Sequence, residues 1–286
     1  MVRVFIYIIM LALAAACETA DLSGFFVSPS DNVDRRFAQS QGITDNLPIA
    51  AVEASAEYVF YVCTDVHVDG TTENFDRFVS ELRNDQDSDF ALVLGDVSER
   101  KGMMKTFASA MTFDPEVHLY DRPIFVIPGN HDMFYSQWTD YKSLFGASVY
   151  YFEVSAPYGK DLFIALDSAS GTLGSRQTKW LNELLADRRQ DYRNCVVFKH
   201  TNMFKTDNSQ NTSGNMPLDE TFALTDLFDR YDVTAVFQGH DHHREDLTYR
   251  GVRYTLVGAI KDTFSAPEYL KVTLSEKNMK YEWVML

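Results

Sequence analysis

The sequence predicts an α/β fold. Three observations predict it: the 286 residues are enough for a large buried core, 45% of them are hydrophobic, and short apolar runs alternate with amphipathic segments. Each run has four to six residues rich in Val, Ile and Phe, which is typical of strands buried on both faces. The runs are residues 58–63, 90–94, 124–127, 162–166, 195–198 and 233–237.

Apolar residues between these runs recur at helical spacing in three places. After Val252 the pattern changes to an alternation of apolar and polar residues, which favours antiparallel strands that build a second sheet against the first. The three helical sets are Phe75, Phe78, Val79 and Leu82; Trp180, Leu181, Leu184 and Leu185; and Phe222, Leu227, Phe228 and Tyr231.

The N-terminus is interpreted as a signal peptide, residues 1–17. Its apolar run, residues 4–16, spans roughly 20 Å as a helix and is too short for the ~30 Å core of a bilayer. The segment that ends at Cys17 resembles a bacterial lipoprotein box, which predicts an exported, periplasmic or outer-membrane lipoprotein whose membrane contact is a lipid on Cys17. An ordinary signal peptide cut just before Cys17 is the alternative.

Residues 18–54 lack a clear periodicity and are predicted to be a tether and an N-terminal extension that packs on the domain edge. Residues 55–286 are then one domain. Cys63 and Cys195 each lie within an apolar run, so we expect buried free thiols rather than a disulfide.

The charge distribution restricts the class of partner. A formal net charge of −15 argues against nucleic acid, because phosphate contacts along a duplex need clustered Lys and Arg. It leaves room for a small phosphorylated substrate, since bound metal cations reverse the local sign of the charge.

Polar residues with ligand chemistry directly follow five of the six apolar runs. The carboxyl ends of parallel strands meet at one edge of a sheet, so these side chains are expected to converge there. Five of the seven histidines of the chain lie at these positions. The residues are Asp65 and His67; Asp96; Asn130, His131 and Asp132; His200; and His240 and His242.

Imidazole, carboxylate and amide groups together suit divalent metals such as Mn, Fe or Zn. The set is too large for one ion and about the right size for two. Two divalent metal ions can hold a hydroxide between them and clamp a phosphoryl group during in-line attack.

The motifs Asp-x-His, Gly-Asp, Gly-Asn-His-Asp, a later His and Gly-His-x-His, in this order, resemble the calcineurin-like metallophosphoesterase family. The resemblance implies a calcineurin-like sandwich of two mixed β-sheets flanked by helices, in four layers. It also implies two metal sites that share Asp96. One site would consist of Asp65, His67, Asp96 and His242, and the other of Asp96, Asn130, His200 and His240.

The resemblance also implies roles beside the metals. His131 would act on the leaving-group oxygen, and Asp132 would orient its imidazole by a hydrogen bond. Glu99 stands where purple acid phosphatases have a tyrosine ligand, which excludes that subgroup. The Glu99-Arg100 pair resembles the acidic-Arg pair of protein phosphatases, so Arg100 is either a phosphate ligand or a solvated surface residue. Asn202 is predicted to line the site, and Asn130 is predicted to contact the substrate as well as a metal.

The expected function is hydrolysis of phosphomonoesters or phosphodiesters by a metal-bridging hydroxide. A catalytically silent metal-binding scaffold on the same fold and a nuclease remain alternatives. Two segments allow two interpretations each. Residues 201–217 are a substrate rim or plain surface, and the aromatic residues that follow His131 are a substrate wall or a packed helix face. These aromatic residues are Phe134, Tyr135, Trp138 and Tyr141.

Overall fold

A computed structural model describes residues 31–111, 122–204, 216–276 and 278–286. The predicted signal peptide with Cys17, residues 18–30 of the tether, and residues 205–215 of the segment after Thr201 lie outside these ranges. Within them, no helix is both long enough and apolar enough to cross a bilayer.

Twelve strands make up the two sheets of the described residues. The seven-stranded sheet has the order β1-β5-β6-β7-β8-β10-β9, and the five-stranded sheet has the order β12-β11-β2-β3-β4. The bounds are β1 Ala51–Glu53, β2 Tyr58–Cys63, β3 Ser88–Val93, β4 Ile124–Val126, β5 Tyr150–Ala156, β6 Gly159–Ala165, β7 Cys195–Phe198, β8 Ala235–Gln238, β9 Glu245–Tyr249, β10 Val252–Leu256, β11 Glu268–Leu274 and β12 Met279–Met285.

Both sheets are mixed. In the larger one, β6, β7, β8 and β10 run parallel, while β5 pairs antiparallel with β6 and β9 pairs antiparallel with β10. In the smaller one, β2, β3 and β4 run parallel, and β11 and β12 continue the sheet in antiparallel register. The parallel centres of both sheets therefore direct their carboxyl ends to the loops that carry the predicted ligands.

Seven α-helices of the described residues flank the sheets, and two short 3₁₀ turns, Phe134–Ser136 and Arg189–Asp191, continue helices. The helix bounds are α1 Val33–Thr44, α2 Glu73–Asn84, α3 Met103–Met111, α4 Asn130–Met133, α5 Trp138–Phe145, α6 Gly174–Arg188 and α7 Leu218–Arg230.

Three apolar clusters fill the spaces between four layers. Leu181 of α6 and Phe228 of α7 pack on the larger sheet, and Phe75 of α2 packs on the smaller one. Between the sheets, the Phe60 ring lies 5.4 Å from the Phe163 ring in an edge-to-face arrangement, which joins β2 to β6. The predicted four-layer sandwich of two mixed sheets flanked by helices is confirmed.

The C-terminal tail is divided between the sheets. β11 pairs with β2 in the smaller sheet, whereas β10 pairs with β8 in the larger sheet. The tail therefore completes both sheets instead of building one of them. Cys63 and Cys195 are buried and free, as expected.

The extension before residue 55 packs on the larger sheet. β1 pairs in parallel with β5 at the sheet edge, and α1 begins after Asn32, whose side chain accepts a hydrogen bond from the Arg35 amide at 3.0 Å. Arg36 of α1 is fully buried and donates to both carboxylate oxygens of Asp167, at 2.7 and 2.8 Å. The domain boundary at residue 55 stays a prediction.

Candidate metal centre

The predicted ligands lie in loops at the end of the sandwich to which the carboxyl ends of both parallel centres point. Asp65 and Asp96 follow β2 and β3 of the smaller sheet, and His200 and His240 follow β7 and β8 of the larger one. Five of these residues have left-handed backbone angles, which non-glycine residues rarely adopt and which concentrate at functional sites. They are Asp65, His67, Asp96, His240 and His242.

Asp65, His67 and His242 form the first group of side chains that could hold a metal ion, with ligand atoms within 4.8 Å of one another. His242 Nε2 lies 3.1 Å from His67 Nε2 and 3.3 Å from Asp65 Oδ1. Burial alone would raise the pKa of Asp65, but the neighbouring His242 lowers it well below its ordinary value. Asp65 Oδ1 is buried without a hydrogen-bond partner among the described residues, as expected of an atom that binds a cation.

Asp96, His200 and His240 form the second group, and all three are buried. His200 Nε2 lies 3.3 Å from Asp96 Oδ2, 3.2 Å from His240 Nδ1 and 3.1 Å from Asn130 Oδ1. Its other ring nitrogen, Nδ1, lies 2.8 Å from the Leu94 carbonyl oxygen and therefore carries a proton, so Nε2 is the ring nitrogen that faces the group.

Asp96 connects the two groups. Its Oδ2 lies 3.3 Å from His200 Nε2 and 3.7 Å from His67 Nε2, and its Oδ1 accepts a hydrogen bond from the His131 amide at 2.8 Å. A Cβ on Gly129 would overlap the Asp96 carboxylate, so the loop after β4 needs glycine there.

The residues present fit divalent metal ions. Imidazole nitrogens face one another at about 3.1–3.2 Å in each group, which is a repulsive arrangement for two protonated rings and a favourable one for two ligands of one cation. Carboxylates of Asp65 and Asp96 supply the compensating negative charge. The described residues therefore contain groups placed to hold metal.

A third group consists of His67, Glu99 and His131. Glu99 Oε2 lies 2.7 Å from His67 Nδ1, 3.9 Å from His131 Nδ1 and 3.2 Å from Lys261 Nζ. His67 is the main cause that lowers the pKa of Glu99 to about 2. From the sequence, Glu99 was used only to compare subgroups of the family, although its position three residues after Asp96 indicated that it lies near the site. Lys261 lies outside the motifs, and nothing in the sequence pointed to it.

Asp132 has other partners than the predicted one. Its carboxylate accepts hydrogen bonds from the amides of Gly129, Val97 and Ser98 at 2.9, 3.3 and 3.1 Å, and so ties the loop after β4 to the loop after β3. The imidazole of His131 is not among its hydrogen-bond partners. Burial, followed by the charge of Asp96, raises the pKa of Asp132 to about 7. Asp132 therefore braces these two loops against each other. Glu99 is the carboxylate that faces Nδ1 of the His131 ring.

The two other predicted substrate residues, Arg100 and Asn202, have partners outside the three ligand groups. Arg100 pairs with Asp69 and is 60% exposed, which matches the surface alternative. Asn202 is buried, and its amide donates to Asp241 Oδ2 at 2.8 Å and to the Phe204 carbonyl at 2.6 Å. Its side chain therefore ties the loop after β7 to the loop after β8, in which Asp241 lies between His240 and His242.

The aromatic residues after His131 divide between the two interpretations. Trp138 and Tyr141 are buried against α3 and the smaller sheet. The Phe134 ring lies 4.6 Å from the His131 ring, and Tyr135 is 58% exposed with φ of 58°. The helix face is packed, and the 3₁₀ turn before it borders the histidine.

The sequence matches the family model for calcineurin-like phosphoesterase over residues 58–244, more than half of the chain. The chain belongs to this family. All the residues predicted as metal ligands lie within the matched range. A search of curated proteins found no match.

Solved structures share the fold at low identity. A dimetal phosphatase from Danio rerio matches with a TM-score of 0.58 and 14% identity, over 79% of this chain and 95% of that one. A purple acid phosphatase from yellow lupin, Lupinus luteus, matches with a TM-score of 0.61 and 15% identity, over 81% of this chain and 52% of that one. GAP50 of Plasmodium, an anchor in the inner membrane complex, matches with a TM-score of 0.59 and 13% identity, over 80% of this chain and 84% of that one. Family membership supports a hydrolase.

Proposed function

We propose that this phosphoesterase hydrolyses small phosphomonoesters or phosphodiesters with two divalent metal ions, Mn, Fe or Zn. The observation that supports this is the position of Asp96 between two groups of ligand atoms. Asp65, His67, Asp96 and His242 would hold one ion, and Asp96, Asn130, His200 and His240 would hold the other. When bound, such a pair of ions supplies an acidified water and neutralises phosphoryl charge.

His131 would donate a proton to the leaving-group oxygen. Its side chain is 26% exposed, and its Nδ1 faces the Glu99 carboxylate at 3.9 Å, which leaves Nε2 for the substrate. Burial lowers the pKa of His131, while Asp96 and Glu99 act in the opposite direction. Glu99 therefore favours the protonated imidazole that this role requires.

The charge of −15 favours a small substrate over nucleic acid, so a nuclease stays the less favoured alternative.

We further propose that the chain is exported and held at a membrane by a lipid on Cys17. Intact-mass measurement of the mature N-terminus tests this, because acylated Cys17 is heavier than the free residue by the mass of the lipid.

A silent scaffold is the second candidate, and the likeness to an anchor protein is the observation that favours it. Two features of this chain count against it. Every ligand position of the family motifs is filled, and the His131 ring is partly open to solvent beside the ligand groups.

Metal content and turnover decide between these functions. The chain without its signal peptide is expected to bind about two metal ions and to cleave p-nitrophenyl phosphate or bis-p-nitrophenyl phosphate with Mn, Fe or Zn. Asn130→Ala should lose metal, whereas His131→Ala should keep both ions and lose roughly 100-fold or more in turnover. A wild-type chain that holds no divalent metal and cleaves neither ester supports the scaffold.

A further inference from the structure

We infer that Lys261 is the cation that binds the substrate phosphate, and that it favours monoesters over diesters. This inference rests on the proposed function. Lys261 Nζ lies 3.2 Å from Glu99 Oε2, the same oxygen that lies 2.7 Å from His67 Nδ1 and 3.9 Å from His131 Nδ1. One carboxylate oxygen thus places the ammonium group beside a predicted metal ligand and the proposed proton donor.

The backbone at Lys261 is fixed on the side of the site. Its carbonyl accepts hydrogen bonds from the Phe264 amide at 2.9 Å and from Asn74 Nδ2 at 3.2 Å, and the preceding Ile260 amide donates to the Thr64 carbonyl at 3.2 Å. The following Asp262 accepts from the Asn74 amide at 2.8 Å, at the start of α2. Lys261 is therefore anchored next to the strand end that presents Asp65.

Other cations near the ligand loops point elsewhere. Arg100 pairs with Asp69 on the surface. Lys199 is buried, and its ammonium group donates a hydrogen bond to the Thr201 carbonyl. Among the salt bridges of the described ranges, Lys261–Glu99 is the one that joins a lysine or arginine to a carboxylate of the three ligand groups.

The side chain of Lys261 has the properties of a phosphate ligand. It is 26% exposed, so its ammonium group can exchange water for an anion. Lysine acts as a compact point charge on a flexible stem, which suits the terminal oxygens of phosphate. A monoester presents a dianion and a diester a monoanion, so one extra positive charge stabilises the bound monoester more.

The test compares Lys261→Met with Arg100→Met, which removes the same charge from the surface pair. Turnover of p-nitrophenyl phosphate and its bis ester is measured, together with calorimetric binding of inorganic phosphate to the metal-loaded protein. Lys261→Met should raise KM for the monoester and the Kd of phosphate roughly tenfold, with KM for the diester changed about threefold or less. Lys261→Arg should restore most of the phosphate affinity, and Arg100→Met should change each value less than twofold.

Three results would overturn the inference: unchanged phosphate affinity in Lys261→Met, a larger effect in Arg100→Met, or an equal loss of kcat for both esters with phosphate affinity retained. The last result would assign Lys261 to positioning through Glu99. A metal-loaded wild type that cleaves neither ester would instead count against the proposed function, while phosphate binding still tests Lys261.

Discussion

The two groups of predicted metal ligands differ in how they are enclosed. The side chains of Asp96 and His200 in the second group are at most 2% exposed, and the second group is built into the interior between loops. In the first group Asp65 and His67 are buried as well, but His242 is 22% exposed, and His131 beside it is 26% exposed. The second group is therefore enclosed on all its residues, and we call it the enclosed half, whereas the first group opens to solvent at His242 and His131, and we call it the mouth.

The enclosed half is held by a chain of hydrogen bonds. The Ser168 hydroxyl accepts from the His200 and Thr201 amides at 3.1 and 2.9 Å. Its neighbour Asp167 is held by Arg36 of α1, which lies outside the matched family range. The mouth, in contrast, is held by charges that meet at Glu99. From this difference we propose that the enclosed half sets metal geometry and the mouth sets substrate chemistry.

The largest expected effect comes from removing the residue that both halves share. Asp96→Asn removes a charge next to His67 and His200, so metal should fall well below two ions per chain and turnover should fall roughly a thousandfold. Metal analysis and kinetics on one preparation measure both. Asp161→Asn is the control, because Asp161 is also buried but pairs with Arg193. Retained turnover in Asp96→Asn would contradict a shared ligand.

The second prediction concerns a substitution that should affect the enclosed half and leave the mouth unchanged. Arg36→Met leaves Asp167 buried without its partner, which should cost about 3–5 kcal/mol of unfolding free energy in urea. In a zinc titration, binding at the enclosed half should weaken while binding at the mouth stays unchanged.

Ser40→Ala is the matched control for this prediction. It lies on the same helix and loses a buried hydrogen bond to Ser148 at 3.1 Å, which should cost roughly 1 kcal/mol without changing zinc binding. Equal weakening of both zinc steps in Arg36→Met would show that α1 supports the fold alone.

The convergence of the predicted ligand side chains was predictable from the sequence because each follows an apolar run, and parallel strands end at a common edge. The sandwich was predictable for the same reason, together with the motif order. Arg36 and Lys261 were not predictable, since their partners Asp167 and Glu99 lie 131 and 162 residues away in the chain. Only packing of distant elements brings such pairs together.

The partner of Asp132 was predicted wrongly because closer donors compete for its carboxylate. Asp132 lies at a helix start, where the amides of Gly129, Val97 and Ser98 surround its carboxylate more closely than any imidazole. For Arg100, the sequence left two alternatives open, and its ion pair with Asp69 matches the surface one. A motif specifies which residues are near a site, but local donors and acceptors decide where each side chain points.

Removal of metal should lower the stability of the folded protein, and most of this loss should come from the enclosed second group. At a metal concentration of 100 times Kd, binding adds about 2.7 kcal/mol to the folded state, which corresponds to roughly 5–10 °C in Tm for a chain of this size. Chelated and zinc-loaded protein are compared by calorimetry. His200→Asn should lose most of this gain and His242→Asn less, because His200 is the buried ligand. Equal losses would contradict the difference between the halves.

The smallest effect tests the mouth. Glu99→Gln removes the carboxylate that faces the His131 ring, so kcat should fall roughly tenfold with both metals retained. Glu99 raises the pKa of His131, so without it the imidazole loses its proton at lower pH. If His131 acts as the acid, activity is lost as pH rises through that pKa, and the alkaline limb of the kcat profile should move to lower pH.

Asp132→Asn gives the contrast for this prediction. It weakens the brace between the loops after β3 and β4, so it should lower Tm and leave the alkaline limb in place. A limb that moves in Asp132→Asn and stays in Glu99→Gln would return the orienting role to Asp132. The loop after β4, which Asp132 braces, would then set the proton affinity of His131 in place of the charge on Glu99.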